Sequence, residues 1–140
     1  MKAKAIPDGY HSVTPYLIVD GAAKALDFYA RAFGAKEKMR LPMGDIIGHA
    51  EIVIGDSHVM LADAMDGHRD PRKLGGSPTS LMIYTDDVDA MFERAIAAGA
   101  KSMRPVANQF YGDRTGVLED PFGHVWSIAT HVEDVSDEEI

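Results

Sequence analysis

Two side chains in the first half of the sequence have the spacing for acid–base chemistry. His49 and Glu51 are two residues apart in an apolar, strand-like run, so their side chains share one face of the predicted strand. An imidazole beside a carboxylate can exchange protons with a substrate, and the pair can also supply two ligands of a metal ion. The alternative, which we favour, is an exposed or hydrogen-bonded strand pair without a catalytic role.

A second candidate site is the segment 110–114, with the sequence FYGDR. The rings of Phe110 and Tyr111 can pack against an organic ligand, and Arg114 can bind an anion or a carboxylate. The alternative is a loop that enters a hairpin, in which Arg114 pairs with Asp113 or another nearby acid. The segment therefore predicts a substrate-binding site that has a purely structural alternative.

The composition excludes several classes of function. The chain of 140 residues has no cysteine, which excludes disulfide bonds, thiolate nucleophiles and cysteine-based zinc sites. Its net charge of -8 argues against binding nucleic acid through phosphate contacts. No apolar run approaches the roughly 18 residues that a membrane-spanning helix needs, and dinucleotide, P-loop, zinc-protease and nucleophile-elbow motifs are absent. We therefore expect a cytoplasmic protein that binds neither nucleic acid nor a membrane.

The elements that must position these residues occur twice in the sequence. The runs LDFYARAFGAK, at 26–36, and MFERAIAAGAK, at 91–101, have helical apolar spacing and both end in Gly-Ala-Lys. One strand-like run precedes each predicted helix, and three follow it. The sequence thus predicts two βαβββ modules, with strands at 16–19, 36–41, 49–54 and 58–62 in the first and at 81–84, 101–106, 115–119 and 124–129 in the second.

The repeat also sets the expected domain organisation. We expect one pseudo-duplicated domain over residues 1–132, followed by an acidic, solvated tail at 133–140. Within the domain, module one covers about 13–63, a linker rich in glycine and proline covers 64–78, and module two covers about 79–131. Asp86 or Asp87 is expected to cap the second helix.

Specific motifs make the sequence resemble the vicinal oxygen chelate superfamily, which contains the glyoxalases, bleomycin resistance proteins and certain dioxygenases. The run PYLIVDGAAKALDFYARAFGA, at 15–35, resembles its opening module, and EDPFGH, at 119–124, resembles the turn before its final strand. The segments 49–51, 59–65 and 110–114 are similar to its PhnB-like branch. Over residues 13–131, the resemblance implies an α+β fold in which two βαβββ modules form a curved, mixed, eight-stranded sheet around a cleft, in a homodimer.

The resemblance also implies where a metal ion would bind. Metal-binding relatives take four ligands from the first and last strands of each module, and the matching positions here are Thr14, Leu61, Ser80 and Ser127. Hydroxyl groups and an aliphatic chain cannot replace the water around a divalent ion. We therefore expect no metal cofactor, and we assign Thr14, Ser80 and Ser127 to the lining of a substrate-binding cleft. A shift of two residues in the alignment would bring Asp63 into the cleft instead.

Neighbouring residues give two further expectations. His58 and His124 open equivalent strands and are expected to be exposed turn residues. Trp126 is adjacent to Ser127 in the sequence, so its side chain should point to the opposite face. There it should pack in the core or in a dimer interface.

Three functions are compatible with these residues. The first is a metal-free protein that binds a small organic molecule, resembling the bleomycin resistance type. The second is a metal-dependent lyase or isomerase, or a dioxygenase, in which a divalent ion uses the displaced ligands His49, Glu51 and Asp63. The third is a dimeric regulatory or interaction protein. The expected partners are a small organic ligand and a second copy of the chain.

Overall fold

The structure of the protein, a computed structural model, describes residues 3–65 and 67–140. Residues 1, 2 and 66, which the sequence assigns to the start of the domain and to the linker, lie outside the described residues. The helices and strands, in chain order, are β1 (Tyr16–Val19), α1 (Ala22–Phe33), β2 (Lys36–Met43), β3 (Ile46–Ile54), β4 (Ser57–Asp63), α2 (Pro71–Leu74), β5 (Ser80–Tyr84), α3 (Val88–Ala98), β6 (Lys101–Asn108), β7 (Asp113–Glu119) and β8 (Val125–His131).

The predicted α+β fold with two βαβββ modules is confirmed by this order of elements. Contacts between residues divide the chain into two units, Met1–Asp70 and Pro71–Ile140. The first unit contains a four-stranded sheet in the order β1-β4-β3-β2, and the second contains a four-stranded sheet in the order β5-β8-β7-β6. In each sheet the first strand runs parallel to the last, and the other pairs are antiparallel. The sequence did not predict α2, which lies in the expected linker.

In the first unit, α1 covers one face of the sheet. Its apolar residues recur at helical spacing, so that Leu26, Tyr29 and Phe33 are all buried. Gly34 ends the helix with φ of 69°, a left-handed conformation in which other residues are strained. Its N–H donates to the carbonyl of Ala30 at 3.1 Å. The strands supply the other half of this core with alternate residues: Leu17, Val19, Ala50, Ile52, Ile54, Val59 and Leu61.

The N-terminus of α1 is held by a residue that is distant in the sequence. The N-cap residue is Gly21, which has no side chain to accept a hydrogen bond. Instead Oδ1 of Asp63, at the end of β4, accepts the backbone N–H groups of Gly21 at 2.9 Å and Ala22 at 2.8 Å. Its Oδ2 accepts the N–H of Ile47 at 2.8 Å. One buried carboxylate therefore joins α1, β3 and β4.

The second unit repeats this arrangement with different chemistry. Asp87 caps α3 by accepting the N–H of Ala90 at 3.1 Å, which confirms one of the two predicted caps. On the sheet, Phe92 of α3 packs so closely on Gly116 that a Cβ at that glycine would come within 2.8 Å of the ring. Trp126 is buried, as predicted. Along the described stretches of chain, no helix is long and apolar enough to cross a membrane.

The role of Asp63 predicts a large effect of a single substitution. Asp63→Ala would leave three backbone N–H groups without an acceptor, two of them in buried contacts. We expect the free energy of unfolding to fall by about 2–4 kcal/mol in chemical denaturation experiments. The control is Asp56→Ala at the β3–β4 turn, where the carboxylate accepts a hydrogen bond from the exposed hydroxyl of Ser57. Its effect should stay within about 0.5 kcal/mol. Equal stability of the two variants would contradict the capping role.

Candidate functional site

The face of the first sheet away from α1 carries a connected group of polar side chains. His49 and Glu51 both lie on this face of β3, and Nε2 of His49 is 2.9 Å from Oε2 of Glu51. Nδ1 of His49 is 2.8 Å from the hydroxyl of Tyr16 on β1. The side chains of His49 and Glu51 are 25% and 17% exposed. The predicted pair therefore exists as a contact, with a phenol as its third member.

The tautomer of His49 sets the direction of the hydrogen bonds in this network. Partial burial raises the pKa of the Tyr16 phenol above its ordinary value, so at neutral pH the phenol keeps its proton. In the tautomer of a neutral imidazole that has its proton on Nε2, Tyr16 donates to Nδ1 and His49 donates to Glu51. Such a chain holds the imidazole rigidly between a phenol and a carboxylate.

A fourth side chain reaches the same carboxylate from outside the sheet. Tyr10 precedes β1 and donates its hydroxyl to Oε1 of Glu51. Its ring stacks on His58 of β4, with centroids 4.1 Å apart. His58 is accordingly half-buried rather than exposed, and the expectation of a solvated turn residue was wrong. Sequence reasoning missed both Tyr10 and Tyr16, since neither lies near His49 along the chain.

The candidate metal ligands of the first unit have other partners or lack suitable donor atoms in the described residues. Both carboxylate oxygens of Asp63 are engaged by backbone N–H groups, so Asp63 has a structural role and is not a displaced ligand. Thr14 precedes β1 and offers a hydroxyl. Within residues 3–65 and 67–140, no group of three or more His, Cys, Asp or Glu side chains is placed to hold a metal ion. The donor set does not fit the metal that metal-binding relatives carry.

The strand register corrects one of the four positions matched to metal ligands. Leu61 pairs with Leu17 and Ala50 and is fully buried on the face that α1 covers. The residue of β4 on the opposite face is Met60, which pairs with Tyr16. The expectation that Leu61 and Ser127 are equivalent was wrong, because the last strands are offset by one residue more than the helix starts. The thioether of Met60 is a soft ligand, unlike the imidazoles and carboxylates that bind most divalent metal ions.

The second unit shows where the two remaining hydroxyl positions lie. Ser80 opens β5 and is exposed. Ser127 on β8 pairs with Met82 and with Val117, on the sheet face away from α3. Both hydroxyls thus belong to the second sheet, and their place in a substrate-binding cleft stays a prediction.

The aromatic and basic parts of the segment 110–114 have different surroundings. Phe110 and Tyr111 form an edge-to-face pair, with ring centroids 5.3 Å apart, and Phe110 is 73% exposed. Arg114 binds both carboxylate oxygens of Asp89 on α3, at 2.8 and 2.9 Å. This contact raises the pKa of Arg114 and lowers the pKa of Asp89. Pairing with a nearby acid was the structural alternative for Arg114, and its predicted role in anion binding stays a prediction.

A groove of about 420 Å³ lies elsewhere in the second unit. Its lining includes Arg72, Gly76, Lys101 and Glu119, so charges of both signs surround it. None of the site residues that the sequence predicted lines this groove.

A second polar network joins the ends of β5, β7 and β8. The carboxylate of Asp113 is 5% exposed and accepts the hydroxyl of Tyr84 at 2.8 Å. Its other oxygen is 2.8 Å from Nδ1 of His131, and Nε2 of His131 is 2.7 Å from Asp134. The acidic tail is therefore held at its first residues, where the carbonyl of Gly112 also accepts the N–H of Glu133 at 3.1 Å.

This second network predicts a pH-dependent stability. Hydrogen bonds to Asp134 and Asp113 raise the pKa of His131 above its ordinary value of 6.5, so the folded state binds the proton more tightly than the unfolded state. The stabilisation is complete below pH 6.5 and is lost as pH rises through the higher folded-state pKa. The pKa of Asp113 is lowered, chiefly by the hydrogen bond from His131. The contribution of Asp113 to stability changes only in the acid range. It is lost as pH falls below 3.8, the ordinary pKa, and through the lower pKa of the folded state.

We therefore expect His131→Gln to remove part of the pH dependence. The melting temperature of the wild type should exceed that of the variant most at pH 5.5, and the difference should shrink steadily towards pH 9. His11→Gln, which removes an exposed histidine from the first unit, is the control for the loss of a histidine. A difference that grows with pH would show that the sign of the linkage is wrong.

The fold and these sites can now be placed among known proteins. Two βαβββ units, each with its first and last strands parallel, define a class of α+β proteins built from repeated modules. The model of the Glyoxalase/Bleomycin resistance protein/Dioxygenase superfamily matches residues 9–128, and the chain belongs to this superfamily.

Individual relatives support this membership and add no function. The chain is 43% identical to the uncharacterized protein Mb0911c of Mycobacterium bovis, with 92% of this chain and 89% of that protein covered. It is also 43% identical to the uncharacterized protein Rv0887c of Mycobacterium tuberculosis, with 92% and 79% covered. Among solved structures, TioX from Micromonospora sp. ML1 is similar with a TM-score of 0.70 and 25% identity, covering 90% of this chain and 100% of TioX. Protein PA1353 from Pseudomonas aeruginosa is similar with a TM-score of 0.71 and 25% identity, covering 88% and 99%.

Proposed function

We propose that the protein binds a small organic molecule without a metal ion, and that the face of the first sheet away from α1 is its binding surface. The observation that carries the proposal is the network of Tyr16, His49 and Glu51 on that face. A carboxylate that is mostly buried loses hydration, and hydrogen-bond donors must compensate for that loss. Polar groups that converge in this way are typical of binding sites.

The residue types around the network favour binding over metal catalysis. At the positions that correspond to metal ligands in metal-binding relatives, β4 carries Met60 and the segment before β1 carries Thr14. Bleomycin resistance proteins are among the members named for this superfamily, which supports a binding role on this scaffold. Tyr16 and Met60 are neighbours on the sheet and present an aromatic ring and a flexible thioether. Such side chains adapt to apolar ligands.

The binding role can be tested by ligand screening. In thermal-shift and calorimetric assays against aromatic, glycopeptide-like and thiol-adduct compounds, a ligand at 100 times its Kd should raise the free energy of unfolding by about 2.7 kcal/mol. Glu51→Gln should lower the affinity for that ligand by about tenfold or more, because a charge-assisted hydrogen bond is lost. Glu119→Gln, which changes a half-buried strand glutamate of the second unit, is the matched control and should bind like the wild type.

Elemental analysis distinguishes the metal-dependent alternative. After incubation with zinc, nickel, manganese or iron, the purified protein should retain well below one equivalent of metal. Near-stoichiometric metal that disappears in His49→Ala and Glu51→Gln would refute the proposal in favour of a displaced metal centre.

A homodimer is part of the same proposal. Every residue of β2, an edge strand, is exposed, and three of these residues, Met39, Leu41 and Met43, are large and apolar. Edge strands with exposed apolar side chains are suited to pairing with another chain. A monomer in light scattering at concentrations up to about 1 mM would refute the dimer without affecting the binding role.

The narrower PhnB-like affiliation also remains a proposal. It rests on the segments 49–51, 59–65 and 110–114 of this sequence. A structure described as a putative 3-demethylubiquinone-9 3-methyltransferase, PhnB protein, from Bacillus cereus has a TM-score of 0.66 at 17% identity, which supports the shared fold alone.

A further inference from the structure

We propose that the first unit contains a binding site for a phenol, that Tyr10 fills this site in the present structure, and that a phenolic ligand takes the place of Tyr10. The inference rests on the proposed function, because it names a ligand class for the same surface. It starts from the contacts of one side chain that belongs to no helix or strand.

Both the ring and the hydroxyl of Tyr10 contact side chains of the first sheet. Its ring face stacks on the imidazole of His58, at 4.1 Å between centroids and 29° between planes. The ammonium of Lys38 lies 4.8 Å from the ring centroid, within the range of a cation–π contact. The hydroxyl donates to Glu51, an acceptor that forms stronger hydrogen bonds than a neutral oxygen does. A free phenol would find the same three partners.

The chain around Tyr10 is attached much less firmly than its ring. Residues 3–9 and 11–13 are all exposed, and Tyr10 between them is half-buried. The segment forms no strand, and its internal contacts are a turn from Tyr10 to Pro7 and an exposed ion pair between Lys4 and Asp8. Opening such a segment costs little free energy, because few buried contacts are lost apart from those of Tyr10 itself.

His58 provides an independent reason to expect exchange with another ligand. Its Nδ1 is buried and has no hydrogen-bond partner among the described residues. Gly9 lies so close that a Cβ there would come within 2.8 Å of Cε1 of His58. A buried polar atom without a partner is destabilising. Removal of this segment would free Nδ1 for a hydrogen bond, which Tyr10 does not provide.

The chemistry of the site also restricts the ligand. Glu51 already accepts a hydrogen bond from His49, and a second group at its other oxygen must bring a proton. The ligand should therefore be a protonated phenol, because a phenolate or a carboxylate in that position would be repelled by Glu51.

Competition between p-cresol and Tyr10 tests the inference. In calorimetric titrations, Tyr10→Ala should bind p-cresol at least about tenfold more tightly than the wild type, because a tethered phenol competes at an effective concentration in the millimolar range. 4-Methylanisole, which has no hydroxyl proton, should bind to Tyr10→Ala at least about tenfold more weakly than p-cresol. Adding Glu51→Gln to Tyr10→Ala should reduce this preference, because an amide oxygen accepts a weaker hydrogen bond than a carboxylate does. His11→Ala, in the same exposed segment, should behave like the wild type.

A second variant keeps the test valid if Tyr10→Ala proves unstable. Tyr10→Phe keeps the ring on His58 and loses the hydroxyl, so its affinity for p-cresol should lie between those of the wild type and Tyr10→Ala. Equal affinities of wild type and Tyr10→Phe for p-cresol would overturn the inference, as would equal binding of p-cresol and 4-methylanisole.

The two proposals fail in different ways. Glu51→Gln could weaken the binding of a screened ligand while replacement of Tyr10 changes neither the affinity of that ligand nor the affinity of p-cresol. The phenol site would then be refuted, and the binding role would stand. If no compound, including p-cresol, binds to any variant, both proposals are refuted.

Discussion

Both units depend on a buried carboxylate that accepts N–H groups from several parts of the chain. A carboxylate removed from water is costly unless donors replace its hydration, and once they do, the donors are fixed relative to each other. In the first unit this carboxylate is Asp63, which binds the start of α1 and the start of β3. In the second it is Asp120, which accepts the N–H groups of Phe122 and His124 and the indole N–H of Trp126.

The polar network lies on a strand that the first of these anchors holds. Asp63 holds the backbone of Ile47, and His49 and Glu51 lie two and four residues further along the same strand. Side chains alternate between the faces of a strand, so Ala50 and Ile52 are buried on one face of β3 and His49 and Glu51 share the other. There they meet Tyr16, whose strand is parallel to β4. A slip of one residue in β3 would move Glu51 to the face on which Ala50 and Ile52 are buried.

The sequence predicted what depends on local spacing and missed what depends on distant pairing. The repeat predicted both βαβββ modules, and the spacing of His49 and Glu51 predicted that they share a face. Tyr10 could not be found in this way, because it meets Glu51 across 41 residues of sequence and from a segment without regular structure. The assignment of Leu61 failed for a similar reason. It came from the offset of 66 residues between His58 and His124, whereas the register pairs Met60 with Tyr16 as it pairs Ser127 with Met82.

The two long helices begin in physically different ways, and this has a consequence for the order of folding. The cap of α3 is Asp87, three residues before its partner Ala90, so this helix can nucleate from contacts within one turn. The cap of α1 is Asp63, 41 residues after Ala22, and the loop between them must close first. Closing long loops slows folding. The first unit should therefore acquire its helix only when its fourth strand docks, whereas the helix of the second unit can precede its sheet.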